Sequence, residues 1–596
     1  MGYDHDNNPN NSNKDLIEEL QKNGYDVIIV NHHKYISNGK EIDGGSDYIQ
    51  RNAYVLISLI RHIKSIQQGT TKMTIIGPSM GGLISRYALA YMEKKLAETG
   101  DNTKWNHNTR LWVSFDSPHQ GANIPIGVQK GIQYFAEELK NERAKDFIKQ
   151  LDQPAPKQML VNHYTNDGNL PIGAPNFRSV FQTELDQLGM PQNLRKIALL
   201  NGSITGQLNG LSKSSYLHID ATSFLFSIFL NGNVKLLADF YHSSNDKNNS
   251  SSEVMFVRKN VKYNVFGLFT ISVTFGKVRK YSQAELKGGY DISPGGYYNA
   301  QQQLAEGSEG IDWSKLNFTN TDLTDPTHSF IPTKSTLAYT GNNVLDEVIG
   351  DKDRVCSGET PFDSYFAPET NQEHIKLTPE NVDWLTKEIE GNNQNPTIFL
   401  PTNLSLDGDV TICFNKTNAY TINIPSCSAT TTWAVSSGLQ IISQSNNTIN
   451  VAPISSTFTG VGYITATING VTNELFKSVW IGTPPNNNTL AIKKIAGYEI
   501  YSQQWTKLNA SFPVPSVLLI DSNIQAPFTF EWNVPNSYIK TNLDTSIIDV
   551  KPYYSGQINI GARAKNSCGC TNWSYQLFNV LPAPGSGGGP IFPVQQ

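Results

Sequence analysis

One stretch restricts the possible fold more than any other. Ile75-Ile76-Gly77-Pro78-Ser79-Met80-Gly81-Gly82-Leu83 runs an apolar strand into a Gly-x-Ser-x-Gly turn and then into a helix over 81–93. A serine can project from such a turn only if the backbone bends sharply, so its near neighbours must lack side chains that would collide. Gly82 lets the helix lie close to the sheet. The N–H of Met80, at the start of the helix, faces the place where negative charge would develop on an attacked carbonyl. Ser79 is therefore the candidate nucleophile and Met80 one oxyanion donor. The plainer alternative is a glycine-rich turn with an inert serine.

The flanking pattern calls for a parallel sheet. Residues 14–22 read as an amphipathic helix, 25–31 as a buried strand, 47–66 as a helix and 72–76 as a strand; further strands are expected at 110–115 and 196–200. Alternation of this kind makes βαβ units and a doubly wound, mostly parallel α/β sheet. Two insertions, about 120–192 and 204–320, are long enough to cover or shape a site. Within them the apolar runs 124–135 and 224–230 read either as walls of an acyl pocket or as ordinary core.

A chain of 596 residues exceeds what one core supports. After residue 390 comes the polar linker Gly391-Asn392-Asn393-Gln394-Asn395-Pro396, and charge then thins out among short alternating strands. Thr432-Trp433-Ala434-Val435 matches Glu531-Trp532-Asn533-Val534, and Val451-Ala452-Pro453 matches Val550-Lys551-Pro552, at a constant offset of 99. That offset is the size of one β-sandwich, and a strand tryptophan fills such a core. The expected organisation is a catalytic domain over 1–390, two all-β immunoglobulin-like modules over 397–482 and 483–582, and a flexible glycine-rich tail over 583–596.

The net charge of −5 gives no basic footprint for nucleic acid or for an anionic membrane. No stretch reaches the ~20 apolar residues of a transmembrane segment. The cysteines, Cys356, Cys413, Cys427, Cys568 and Cys570, lack the paired spacing of a metal site, and Cys413 and Cys427 are placed to pair within one module.

In a Gly-x-Ser-x-Gly hydrolase the acid and the histidine follow the serine in that order. Asn371-Gln372-Glu373-His374 precedes a helix opened by Thr378 as N-cap and Pro379 in the first turn, which makes His374 the candidate base. For the acid, Asp325 is preferred, with Asp322 and Asp363 as alternatives. Each of these aspartates also reads as a turn cap. Gly2-Tyr3-Asp4 lies just before the first helix, where the oxyanion loop of such folds stands, so Tyr3 is the second candidate donor. On that alignment the strand that should precede this loop is absent, and the chain reads as N-terminally truncated.

These residues resemble a group of secreted bacterial lipase/esterase-like α/β-hydrolases. The likeness is carried by Asp47-Tyr48-Ile49-Gln50-Arg51-Asn52-Ala53, by Gly77-Pro78-Ser79-Met80-Gly81-Gly82, by Ser114-Phe115-Asp116-Ser117-Pro118-His119-Gln120-Gly121-Ala122-Asn123 and by Phe330-Ile331-Pro332-Thr333. The resemblance implies an α/β-hydrolase sheet with cap insertions, a carboxylic ester hydrolase without cofactor or metal, and a structural role for His119 at the site mouth. It also implies immunoglobulin- or PKD-like modules and a type IX sorting domain, which would begin where this chain stops, and so a secreted or cell-surface protein. An ester or lipid is the expected substrate, with a cell-surface or polysaccharide partner for the modules. Two other readings stay open. One is a binding or adhesion protein with an inactive hydrolase domain; the other is a hydrolase of polysaccharide esters or acyl-inositol lipids.

Overall fold

The computed structural model describes residues 2–3, 14–138, 140, 142–165, 173–211, 213–226, 230–243, 252–265, 269–281, 290–299, 316–317, 327–341, 352–399, 404–424, 427, 429–469, 474–485, 490–495, 499–512, 528–540 and 545–585. The chain divides into two units, Met1–Phe399 and Leu400–Gln596.

In the first unit the elements that position the site are α1 (Leu16–Lys22), α2 (Ile49–Ile66), β1 (Met73–Pro78), α3 (Met80–Thr99), β2 (Thr109–Phe115), α4 (Ile126–Glu137), α5 (Arg178–Leu188), β3 (Arg195–Leu199), β4 (Ser215–Phe226), β5 (Leu230–Tyr241), β6 (Glu253–Val265), β7 (Phe269–Tyr281), β8 (Gly295–Asn299), β9 (Thr327–Pro332), β10 (Ser364–Phe366) and α6 (Pro379–Ile389). A four-stranded sheet runs in the order β10-β3-β2-β1, and all its pairs are parallel. Parallel strands need helical crossovers, which cover both faces and leave the strands apolar throughout. Accordingly β2 and β3 are almost wholly buried. On one face Leu83, Tyr87, Leu89 and Met92 of α3 pack with Ile49, Ile57 and Ile60 of α2 and with Phe181 and Leu185 of α5. On the other, Leu16 and Leu20 of α1 meet Val382, Leu385 and Ile389 of α6. Asp15 caps α1 by accepting from Ile17 N, and Thr378 with Asn381 forms a capping box on α6.

Residues 25–31 are a correction to the sequence reading. They form no strand, and Ile28, Ile29 and Val30 are exposed. The physical reason is the sheet itself. β1 stands at its edge, only half-buried, and no described strand beside it offers a ladder for 25–31 to join.

The 120–192 insertion contains α4 and α5. The 204–320 insertion contains an antiparallel sheet in the order β7-β6-β5-β4, which a short strand, Leu316–Asn317, extends beside β4. Of the apolar run 224–230, residues 224–226 end β4 and residue 230 begins β5, and the rest lies outside the described residues. Among the described residues no helix is long and apolar enough to cross a membrane.

The second unit holds two β-sandwiches of matching topology. In the first, Trp433 of Thr431–Val435 pairs with Ala466, and its Nε1 donates to Ser445 O at 2.8 Å. In the second, Trp532 of Thr529–Asn533 pairs with Ala562, and its Nε1 donates to Thr545 O at 2.9 Å. The repeated tryptophan thus does the same work twice. The cysteine pairing differs from expectation: Cys413 is bonded to Cys568, and Cys570 is free and exposed. Cys413 follows the strand Thr411–Ile412 of the first sandwich, and Cys568 lies in the turn after Gly556–Asn566 of the second. The bridge therefore staples one sandwich to the other.

Candidate active site

Ser79 occupies a backbone conformation that few side chains adopt, with φ 50° and ψ −123°. Such strain costs on the order of 1–3 kcal/mol and persists only where its surroundings over-determine it. Here Ser79 N donates to Phe115 O at the end of β2 (2.8 Å), and Gly82 N donates to Ser79 O (3.1 Å). A Cβ on Gly77 would meet Gly81 O at 2.5 Å, and one on Gly82 would meet Ser117 Oγ at 2.0 Å. The turn can therefore close only with glycine at both places. Met80 is the first residue of α3, so its N–H lacks a partner within the helix and sits at the positive end of the helix dipole.

His374 lies on the loop between β10 and α6 and is 5% exposed. Its Nε2 is 2.9 Å from Ser79 Oγ, and its Nδ1 is 2.7 Å from Asp116 Oδ2. Asp116 follows β2 directly and is fully buried. Its Oδ1 accepts from Asn201 N (3.3 Å) and from Thr336 Oγ1 (3.2 Å). A buried carboxylate needs such hydrogen-bond partners. The β8 backbone also comes close: a Cβ on Gly296 would lie 2.1 Å from Asp116 Oδ2.

The histidine loop is stitched down at several points. His374 N donates to Tyr297 O (2.9 Å), and Gln372 N to Asn201 O (2.8 Å). Asn371 Oδ1 accepts from Ser203 N and Gly295 N. The rings of Tyr298 and Phe330 stand edge-on to the imidazole, with centroids at 5.4 and 4.9 Å. Phe330 also joins an apolar cluster with Ile124, Phe147, Ile148 and Tyr164. Burial, reinforced by the charges of Asp116 and Glu373, pushes the Tyr298 hydroxyl up to about 12, so it stays protonated at neutral pH.

The structure brings together Ser79, Met80 and His374, but the carboxylate it sets against His374 is Asp116. Of the aspartates expected there, Asp325 and Asp322 lie outside the described residues. Asp363 precedes β10, at the N-terminal end of its strand, and accepts from Lys196 N (2.8 Å) and Lys196 Nζ (3.3 Å). Ser79, Asp116 and Asn201 all follow the C-terminal ends of parallel strands, the usual rim for a site on such a sheet. The signal that marks Asp116 was present in the sequence: an aspartate immediately after the strand next to the serine strand. The family-like turn that follows it, Ser117-Pro118-His119, drew attention to a mouth role instead.

His119 is fully buried, with Nε2 2.7 Å from Ser114 Oγ; burial, aided by the charge of Arg86, holds it neutral, well below 6.5. His328 is buried in β9, its Nδ1 3.2 Å from Ser329 O. Tyr3 stands in a two-residue strand, paired with Lys14 just ahead of α1. Among the described residues no group of three or more His, Cys, Asp or Glu side chains is placed to hold a metal ion.

Residues 16–158 match the family described as "Putative serine esterase (DUF676)", a span that includes Ser79 and Asp116. No curated protein matches the chain by sequence. Several solved structures are similar to part of it. The Clostridium thermocellum CbhA fibronectin(III)-like modules are 11% identical, with TM-score 0.15, covering 33% of this chain and 99% of that one. Yersinia pseudotuberculosis InvD is 16% identical, with TM-score 0.19, covering 32% and 61%. The D0-D1 domain of Intimin is 11% identical, with TM-score 0.14, covering 30% and 98%.

Proposed function

We propose that the first unit is a serine hydrolase of the α/β-hydrolase type that cleaves carboxylic esters through an acyl-enzyme on Ser79. The observation that carries this reading is the unbroken row Ser79 Oγ, His374 Nε2, His374 Nδ1, Asp116 Oδ2, with contacts of 2.9 and 2.7 Å. The match of residues 16–158 to a serine esterase family agrees with it.

In this mechanism His374 Nε2 takes the Ser79 proton as Oγ attacks the ester carbonyl carbon. Asp116 holds the imidazole with its proton on Nδ1 and stabilises the imidazolium that forms. The carbonyl oxygen becomes an oxyanion facing the Met80 N–H, with a second donor from the segment around Tyr3. The tetrahedral intermediate collapses as His374 gives its proton to the leaving alcohol. Water then attacks the acyl carbon with His374 as base, and the carboxylic acid leaves. The apolar wall of Tyr298, Phe330 and Ile124 supports an ester with a hydrocarbon portion over a heavily hydroxylated one. The Cys413–Cys568 bridge supports an oxidising, extracytoplasmic location, because such bonds persist there. Tandem sandwiches suit a surface or polysaccharide partner.

Fluorophosphonate labelling of the chain beside its Ser79→Ala variant tests the reading. Labelling of the first alone is expected, followed by turnover of p-nitrophenyl esters that improves with acyl length. A folded chain that takes no label would favour the rival, a binding protein carrying an inert hydrolase domain.

A further inference from the structure

The turn that follows Asp116 has a second side. Thr336 Oγ1 donates to Asp116 Oδ1 on the side of the reacting groups. One residue earlier, Ser335 Oγ accepts from Gln120 N (3.0 Å) and donates to Gly121 O (2.7 Å). Beyond this seam Gln120, Ala338 and Tyr339 line a cavity of about 610 Å³, and Ser79, Asp116 and His374 are not among its walls.

Two guanidiniums also line it. Arg86 of α3 is 5% exposed, and Arg178, the first residue of α5, is 8% exposed. A buried charge is costly unless an opposite charge and hydrogen bonds answer it. Here the answer is incomplete. Arg86 Nε donates to Gly189 O (3.0 Å) and its Nη2 to Leu185 O (3.3 Å), while Arg178 Nη1 donates to Gln158 O (3.3 Å). Among the described residues, Arg86 Nη1 and Arg178 Nε and Nη2 meet no acceptor. The carboxylate that faces both arginines is Asp186, but it lies 4.0 Å from Arg86 Nη2 and its side chain is 62% exposed. Burial lowers both guanidiniums to about 10 against the opposing charge of Asp186, so both stay cationic at neutral pH. His119, buried beside Arg86 and neutral, adds no charge.

The backbone leaves room for one of these groups. Gly121 has φ 110°, and a Cβ there would lie 3.0 Å from Arg178 Nη2. The rest of the lining includes Val161, Met190 and Pro361. Charged donors at one part of a largely apolar hollow of this size suit a small molecule with an anionic head, since guanidinium forks match the oxygens of phosphate and carboxylate.

We propose that this cavity binds a small organic anion, its phosphate or carboxylate held by Arg86 and Arg178 and its apolar or aromatic body against Val161, Met190 and Pro361. The binding does not rest on chemistry at Ser79.

Isothermal titration of the full chain carrying Ser79→Ala tests the proposal apart from any turnover. The probes are phenyl phosphate, benzoate and the uncharged benzyl alcohol. Saturable binding of at least one anion is expected, at one molecule per chain, with none of the alcohol; the tighter anion identifies the head group. Arg86→Met and Arg178→Met should each weaken it by at least about tenfold. Each also frees a carbonyl that the guanidinium holds, so near-ultraviolet circular dichroism must show the variant folded. Asp186→Asn is independent of that risk: it stands at an exposed position and keeps an acceptor for Gln182 Nε2. Removing its charge should tighten anion binding about threefold. No binding of either anion, equal binding of the alcohol, full affinity in a folded arginine variant, or affinity unmoved by Asp186→Asn would each overturn the proposal.

Discussion

Asp116 and His374 stand 258 residues apart in the chain, yet Asp116 Oδ2 and His374 Nδ1 meet at 2.7 Å, both buried. A carboxylate so placed selects the tautomer that leaves Nε2 free to accept the Ser79 proton. An amide in its place can present N–H to Nδ1 and stabilise the wrong one. Asp116→Asn is therefore expected to lower kcat by about 10⁴-fold with KM little changed. Asp363→Asn is the matched control. It keeps an acceptor for Lys196 N, weakens the ion pair with Lys196 and leaves kcat unaltered. Steady-state kinetics on one p-nitrophenyl ester decides between the two aspartates.

Gly296 offers a test of positioning that leaves the three reacting side chains in place. A methyl there would lie 2.1 Å from Asp116 Oδ2, so the carboxylate or β8 has to move. A shift approaching 1 Å in a catalytic contact can cost about 10²-fold. Gly296→Ala should thus lower kcat by one to two orders of magnitude, with a smaller effect on KM. Unchanged kcat in a well-folded variant would mean that β8 yields and the carboxylate does not.

How far this architecture was legible depends on how local its causes are. The serine turn, the helix behind it and the capped helix after His374 announce themselves because glycine crowding, N-caps and apolar spacing act over a few residues. The repeated strand tryptophan was equally plain, because each copy fills its own core. The acid was harder to read, since Asp116 follows a strand at once but Asp363, just ahead of one, lies far closer to His374 in the chain. What separates them is the end of the parallel strand at which each stands, and that follows only once register and direction are known. Residues 25–31 mislead for a related reason. Their apolar run has the composition of a strand, but a strand exists only where another offers its edge.

The two sandwiches should melt as one. Trp480, in the strand Leu475–Ile481 of the first, packs edge-on to Phe528 of the second at 5.0 Å, and Cys413–Cys568 joins them covalently. Trp433→Phe and Trp532→Phe each remove a buried indole donor and leave a carbonyl, Ser445 O or Thr545 O, without it. Each should cost about 1–3 kcal/mol. Calorimetry on the isolated second unit is expected to show both substitutions lowering the same transition. Separate transitions under oxidising conditions, each responding to only one substitution, would refute the coupling.

His328 ties stability to pH. It is buried in β9, faces Asp291 and His242, and burial lowers its pKa from 6.5 to about 4. The charge of Asp291 opposes that shift, and the charge of His242 adds to it. The unfolded chain takes up a proton near 6.5 and the folded one only near 4, so between these values the unfolded state binds more protons. Stability from this group is then complete above about 6.5, falls as pH is lowered through the window, and levels off below about 4, with a total loss on the order of 3 kcal/mol. His328→Gln keeps a donor for Ser329 O and removes the titration, so its melting temperature should fall less steeply from pH 6.5 to 4 than that of the parent. β9 also carries Phe330, which packs on His374, so softening of this strand should reach the active site. The fraction of chain labelled by fluorophosphonate at pH 5 and returned to pH 7 measures that link. A parent whose melting temperature tracks the variant's across the window would show that His328 does not set the acid limit.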